Sequence, residues 1–194
     1  MSPEKTSHTF PSELKNPKIV SDLFETTKFS LLWLAVRLWL GYVWLASGLE
    51  KLFNPGWVST GDSVRAFWER AIIVPALPAR PPIAFDWYRE FLSFLLEGGH
   101  YSWFGKLIVL GEIAVGAALI LGLFTGISAF FGAFLNWNFM MAGTASINPV
   151  MFPLSILLVI AWRVSGSIGL DRFILPFFGT PRQPGSAFKK KGIA

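Results

Sequence analysis

Apolar residues along this chain gather into four long blocks divided by short polar breaks, a pattern distinct from the period-two alternation of a half-buried strand. The blocks cover about 30–53, 102–124, 126–147 and 149–165. A helix needs roughly 20 mostly apolar residues to cross a bilayer, so each block predicts a span. The fourth is the shortest and draws on Gly166 to Leu170 before Asp171 and Arg172 meet water. The expectation is an all-α protein, an integral membrane four-helix bundle. It is flanked by a polar N-terminal tail (1–28) and a basic C-terminal tail (176–194), with 29–175 as the membrane domain. The first block starts only near Phe29, behind a polar segment rich in Ser, Thr, Lys and Glu, which does not read as a cleaved signal.

The one long connection, 54–101, carries helical periodicity of its own. Val64, Phe67, Trp68, Ala71 and Ile72 recur on one side, with Asp62 or Ser63 as the cap. After the breakers from Pro75 to Pro82, Asp86 is placed to cap a second helix. Trp87, Tyr88, Phe91, Phe94 and Leu95 share its apolar face, and Gly98 and Gly99 end it. Both read as short interfacial amphipathic helices that roof one end of the bundle.

Composition narrows the chemistry. The chain is 53% hydrophobic and 15% charged, with a mean hydropathy of +0.50, which belongs to membrane proteins. It has no cysteine, so disulfides, iron-sulfur clusters, thioether haem and a thiol nucleophile are excluded within this chain. Its two histidines, His8 in the tail and His100 in the loop, supply no pair on a span, so neither haem nor another metal is expected. Any redox cofactor is diffusible or belongs to a partner.

Charge sets an expected orientation. Lys5, Lys15, Lys18 and Lys28 precede the first block, and Arg163, Arg172, Arg182 and Lys189 to Lys191 follow the last. In the long loop Arg65, Arg70, Arg80 and Arg89 are outnumbered by Asp62, Glu69, Asp86, Glu90 and Glu97. The positive-inside rule then puts both termini in the cytoplasm and loop 54–101 outside, in a multi-pass protein of the cell membrane. Lys189 to Lys191 suit anionic lipid; no nucleic-acid motif accompanies them.

Six charged residues lie within or at the ends of the blocks: Arg37, Glu50, Lys51, Lys106, Glu112 and Arg163. An ionised group near the bilayer centre costs roughly 2.5 to 3.5 kcal/mol on insertion scales, so such residues pair, snorkel or line a polar cavity. Arg37, Gly41, Trp44, Gly48 and Lys51 form one stripe on the first block, and Gly111, Val115, Ala118 and Gly122 form another on the second. Both are expected packing seams. At 1.5 Å per residue, Arg37 falls roughly 10 Å from the cytoplasmic end, Asn136 roughly 15 Å and Glu112 roughly 18 Å. On that arithmetic Arg37 and Glu112 pair at mid-membrane with Asn136, Trp137 and Asn138 beside them, while Glu50, Lys51 and Lys106 make a second layer beneath the roof.

The inner cluster has three readings. It is a structural polar network that sets helix register; a quinone site in which Arg37, Asn136 and Asn138 donate, Trp44 or Trp137 stacks and Glu112 relays protons; or a transport path. Transport is disfavoured by the few spans and the lack of inverted repeats. His100, beside Tyr101 and Trp103, suits an interface anchor.

Gly48-Leu49-Glu50-Lys51-Leu52, Gly111-Glu112 running through Gly116 to Gly122-Leu123-Phe124-Thr125-Gly126, and Ile168-Gly169-Leu170-Asp171-Arg172 resemble the DoxX/DoxD family over roughly 31–181. The resemblance implies a small prokaryotic membrane protein. It also implies an activity of the thiosulfate:quinone oxidoreductase type, with a diffusible quinone as cofactor. Without cysteine, thiosulfate reacts at a partner or in a cationic pocket, where Lys51, Lys106 and His100, or Arg65 or Arg89, are the candidates to attract it. The expected function is a quinone-interacting membrane subunit of an oxidoreductase. The alternative is a non-catalytic accessory subunit that docks and stabilises a larger respiratory or photosynthetic complex, with lipid or small-solute handling third. Expected partners are membrane lipids and either other subunits or further copies of the chain.

Overall fold

The computed structural model describes residues 16–180, and within them the protein is all-helical, without a strand. The tail residues Lys5, His8, Lys15, Arg182, Lys189, Lys190 and Lys191 lie outside the described residues. In chain order the helices are α1 (Lys18–Phe24), α2 (Ser30–Leu52), α3 (Pro55–Val58), α4 (Asp62–Ala71), α5 (Asp86–Glu97), α6 (Tyr101–Leu121), α7 (Thr125–Met141), α8 (Asn148–Ile160), α9 (Trp162–Gly166) and α10 (Asp171–Ile174). Two are long and apolar enough to cross a membrane: α2 taken with the 3-10 turn before it (Thr27–Leu52), and α6. Helix α8 is apolar but shorter, and α7 has 17 residues.

Helices α2 and α6 make the closest seam, running antiparallel, and glycine is what lets them do so. A Cβ on Gly48 would lie 2.7 Å from Ile113 Cγ1, one on Gly41 would lie 3.0 Å from the Gly116 carbonyl oxygen, and one on Gly116 would collide with the Leu45 backbone. The expected stripe on α2 is therefore a true seam. On α6 the close approach belongs to Gly116, whereas a Cβ on Gly111 would meet only Leu135 Cδ1 at 3.8 Å. Helices α7 and α8 form the second close pair, and α6 against α7 is much looser.

Residues at helix ends explain the breaks. Gly122 takes φ +66 and lets the Leu123 N–H close back on the Ala118 carbonyl at 2.9 Å, ending α6. Helices α4 and α5 form where periodicity placed them, but the caps differ. Asp62 and Asp86 are the first helical residues rather than caps, behind Gly61 and Phe85. On α5 the buried side is Tyr88, Leu92 and Leu95, while Trp87, Phe91 and Phe94 stay exposed. Part of the expected polar tail is also helical. Helix α1 docks by way of Phe24, 5.4 Å from the Trp33 ring, and the Trp33 indole N–H donates to the Leu23 carbonyl at 2.7 Å.

Two apolar cores result. One lies among α2, α6, α7, α8 and α9, around Leu40, Trp44, Leu119, Met151 and Leu158. The other ties α4 and α5 to the end of α7 through Val64, Trp68, Ile83, Tyr88, Leu92 and Ala142.

Candidate functional site

Between the two cores lies a chamber of about 1230 Å³, walled by α2, α6, α7 and the start of α8 and covered by α3, α4 and α5. Its lining is mainly aliphatic and aromatic, with a few polar groups placed in it. That is the usual build of a small-molecule site.

The strongest of these groups is an ion pair. Lys51 Nζ lies 2.8 and 3.0 Å from the two Glu112 carboxylate oxygens and 2.5 Å from Ser47 Oγ, and it sits 5.3 Å from the centroid of the Trp57 ring. Glu112 is 1% exposed and Lys51 19%, so the carboxylate is inside and the ammonium reaches it from the wall. Two turns earlier on the same stripe of α2, roughly 10 Å along the axis, Trp44 also lines the chamber. Its ring stacks on Phe139 at 6.2 Å. Trp44 is 2% exposed and its indole N–H has no protein partner among the described residues. That N–H faces Gly132, where a Cβ would lie 3.1 Å from Nε1, so it is the ring and not the N–H that meets the chamber. At the far wall the Tyr88 hydroxyl donates to the Asn138 carbonyl at 3.1 Å and lies 3.2 Å from its Oδ1, and burial pushes this phenol up to about 12.

Arg37 does not join this group, and the expected Arg37–Glu112 pair is corrected. The depth arithmetic placed the starts of α2 and the end of α6 in one plane, whereas α2 begins about two turns beyond it. Arg37 therefore stands level with Gly122, where a Cβ would strike its guanidinium. It donates to the carbonyls of Ser165 at 2.8 Å and Ile168 at 2.6 Å. Asp171, in the same knot, accepts from the N–H groups of Phe124 at 2.6 Å and Thr125 at 2.8 Å, capping α7 from a distant part of the chain. These bonds tie the segment after α9 to the α6–α7 turn, a structural clamp at the opposite end from Lys51.

The other expected site residues divide. Asn138 lines the chamber. Asn136 is wholly buried in the core, outside the lining, with both side-chain polar atoms lacking protein partners among the described residues. Trp137 faces outward, stacked on Trp87 at 6.5 Å and Phe134 at 6.2 Å, so it is not a wall of the site. Glu50 and Lys106 are exposed, and the layer expected from them with Lys51 is replaced by Lys51 with Glu112. His100 accepts from the Trp103 indole at 3.2 Å and packs on Phe94, within an aromatic cluster at the junction of α5 and α6. Sequence reasoning missed Ser47, Trp57 and Tyr88; the only available signal for Ser47 was its place one turn before Lys51. No group of three or more metal-ligating side chains occurs among the described residues.

Among known proteins, the DoxX family model matches residues 32–146. No curated protein and no solved structure gives a significant match.

Proposed function

The chain belongs to the DoxX family, and from that premise we propose that it is a quinone-interacting membrane subunit of an oxidoreductase. Family members are membrane-associated, and the apolar lengths of α2 and α6 agree with that. In this reading α2, α6, α7 and α8 continued by α9 are four spans, both termini face the cytoplasm, and α4 and α5 form an extracytoplasmic roof over the chamber.

One observation carries the proposal: a large, mainly apolar chamber holds a buried ion pair in its wall. A quinone head is a flat apolar ring with carbonyl acceptors, and these residues suit it. Lys51 offers a donor on one wall, Trp44, Phe139 and Trp57 offer aromatic faces, and Glu112 holds a carboxylate where a proton must be delivered. A bound quinone would supply the capacity to accept electrons together with protons. The chain's own part is to bind and orient that head, keep water away from it and relay a proton by way of Glu112, whose tie to Lys51 holds the carboxylate in place.

The test is gentle solubilisation, extraction of quinone from the purified protein, and thiosulfate-driven quinone reduction in membranes. Quinone should be recovered from the wild type, and Lys51→Met/Glu112→Leu, which removes the polar pair without leaving a lone buried charge, should retain about tenfold less. Glu112→Gln should keep the fold but lower quinone reduction by about 100-fold, the lower end of general acid-base contributions. A wild-type protein free of quinone, with unaltered membrane redox activity in Glu112→Gln, would overturn the reading in favour of an accessory subunit.

A further inference from the structure

We infer that the chamber is loaded sideways, through a gap between α6 and α7 that faces hydrocarbon, and that its occupant is a single-chained amphiphile. Its polar head would lie at Lys51 and Glu112, and its tail would remain in the gap. The inference rests on the chamber being a ligand site but not on the head being a quinone.

The gap is written in two facing stripes. On α6, Leu107, Gly111, Ala114 and Ala118 recur at steps of four, three and four, and on α7, Ile127, Phe131, Phe134 and Asn138 do the same. All of them line the chamber. Several are exposed as well: Leu107 is 53% exposed, Ile127 59%, Phe131 51% and Phe134 49%. Half-exposed side chains in a chamber wall mark where that wall opens. They lie on a seam much looser than α2–α6 or α7–α8, while the α2–α6 wall is sealed by glycines in backbone contact.

The chemistry of the two lips indicates what passes between them. One is small, since Gly111, Ala114 and Ala118 leave a furrow whose middle is vacant: a Cβ on Gly111 would meet one atom, at 3.8 Å. The other is a ridge of Phe131 and Phe134. No charged residue stands on either lip. A polar molecule from water gains nothing along such a path, whereas an aliphatic or isoprenoid chain leaves hydrocarbon for a surface equally apolar. The polar groups lie deeper, behind the lips, on the α2 side. A single furrow of small residues admits one chain, which favours a one-tailed amphiphile over a two-tailed phospholipid.

The test uses stearic acid carrying a nitroxide near its methyl end, with the whole protein in nanodiscs, and reads the motionally restricted component of the electron paramagnetic resonance spectrum. The label carries no quinone ring, so its result is independent of the functional proposal. Gly111→Phe fills the furrow and should bind the label about tenfold more weakly. Leu110→Phe, 65% exposed on the same helix and outside the lining, should bind it as the wild type does. Ala114→Phe repeats the plug one turn on, should Gly111→Phe fail to fold by thermal unfolding. Equal restriction of the label in the wild type and both plugged variants would overturn the sideways route and point to loading from water past Arg70 and Ser146. Loss of the restricted component in the plugged variants, with no quinone recovered from the wild type, would leave the route standing and sink the quinone reading.

Discussion

Lys51→Met separates a true buried ion pair from an ordinary hydrogen bond. Glu112 is 1% exposed, and Lys51 Nζ, at 2.8 and 3.0 Å, is its charge partner in the structure. Removing the ammonium leaves a carboxylate inside an apolar chamber. Breaking a buried pair from one side costs about 3–5 kcal/mol. Polar hydrogen bonds between membrane helices are worth only about 0.6 kcal/mol on average, about 1.7 at most. At about 2–4 °C per kcal/mol for a chain of this length, the two cases predict falls in Tm of about 6–20 °C or under about 7 °C. Lys51→Met/Glu112→Leu removes both charges and should return to within about 1 kcal/mol of the wild type, since an apolar replacement of a whole pair is often neutral. Thermal unfolding in one detergent, scanned with all three proteins, reads these differences. A single variant as stable as the wild type, or a double variant worse than the single, would refute the reasoning.

Two further outcomes are expected. Asp171→Ala should lower stability by about 2–4 kcal/mol, because its carboxylate accepts two charge-assisted bonds from Phe124 and Thr125; Asp171→Asn should lose roughly half as much. Hydrogen exchange at 124–126 should accelerate in both, and unchanged protection there would remove the clamp role. For Tyr88 the folded phenol sits at about 12, above the ordinary 10. Its contribution is therefore complete below pH 10 and is lost as pH rises from there through 12, because the unfolded chain gives up its proton first. Tyr88→Phe should flatten the fall in stability across that window, and identical alkaline profiles for the two proteins would contradict it.

How the chain divides was legible because hydrocarbon length and apolar block length are linked. The blocks at 30–53 and 102–124 match α2 and α6 to within a few residues, and the loop periodicity located α4 and α5. Their buried faces were harder to read. Trp87, Phe91 and Phe94 are as apolar as Leu92, and in a chain meant for lipid an apolar residue has no need to turn inward. The site was half legible: Trp44, Lys51, Glu112 and Asn138 do line one chamber, but Arg37, Asn136 and Trp137 do not.

What the order of residues determined by itself was the inventory: helices of a given length, glycines in a stripe on α2, ionisable groups that must find company in an apolar setting. Only the packed structure decided which company. Charges at known heights on two helices still need a third quantity, the offset of one helix along the other, and Gly48 against Ile113 and Gly41 against Gly116 set that offset through backbone contact. The shift of two turns is about 10 Å, enough to hand Glu112 from Arg37 to Lys51 and to move Arg37 to the carbonyls of Ser165 and Ile168.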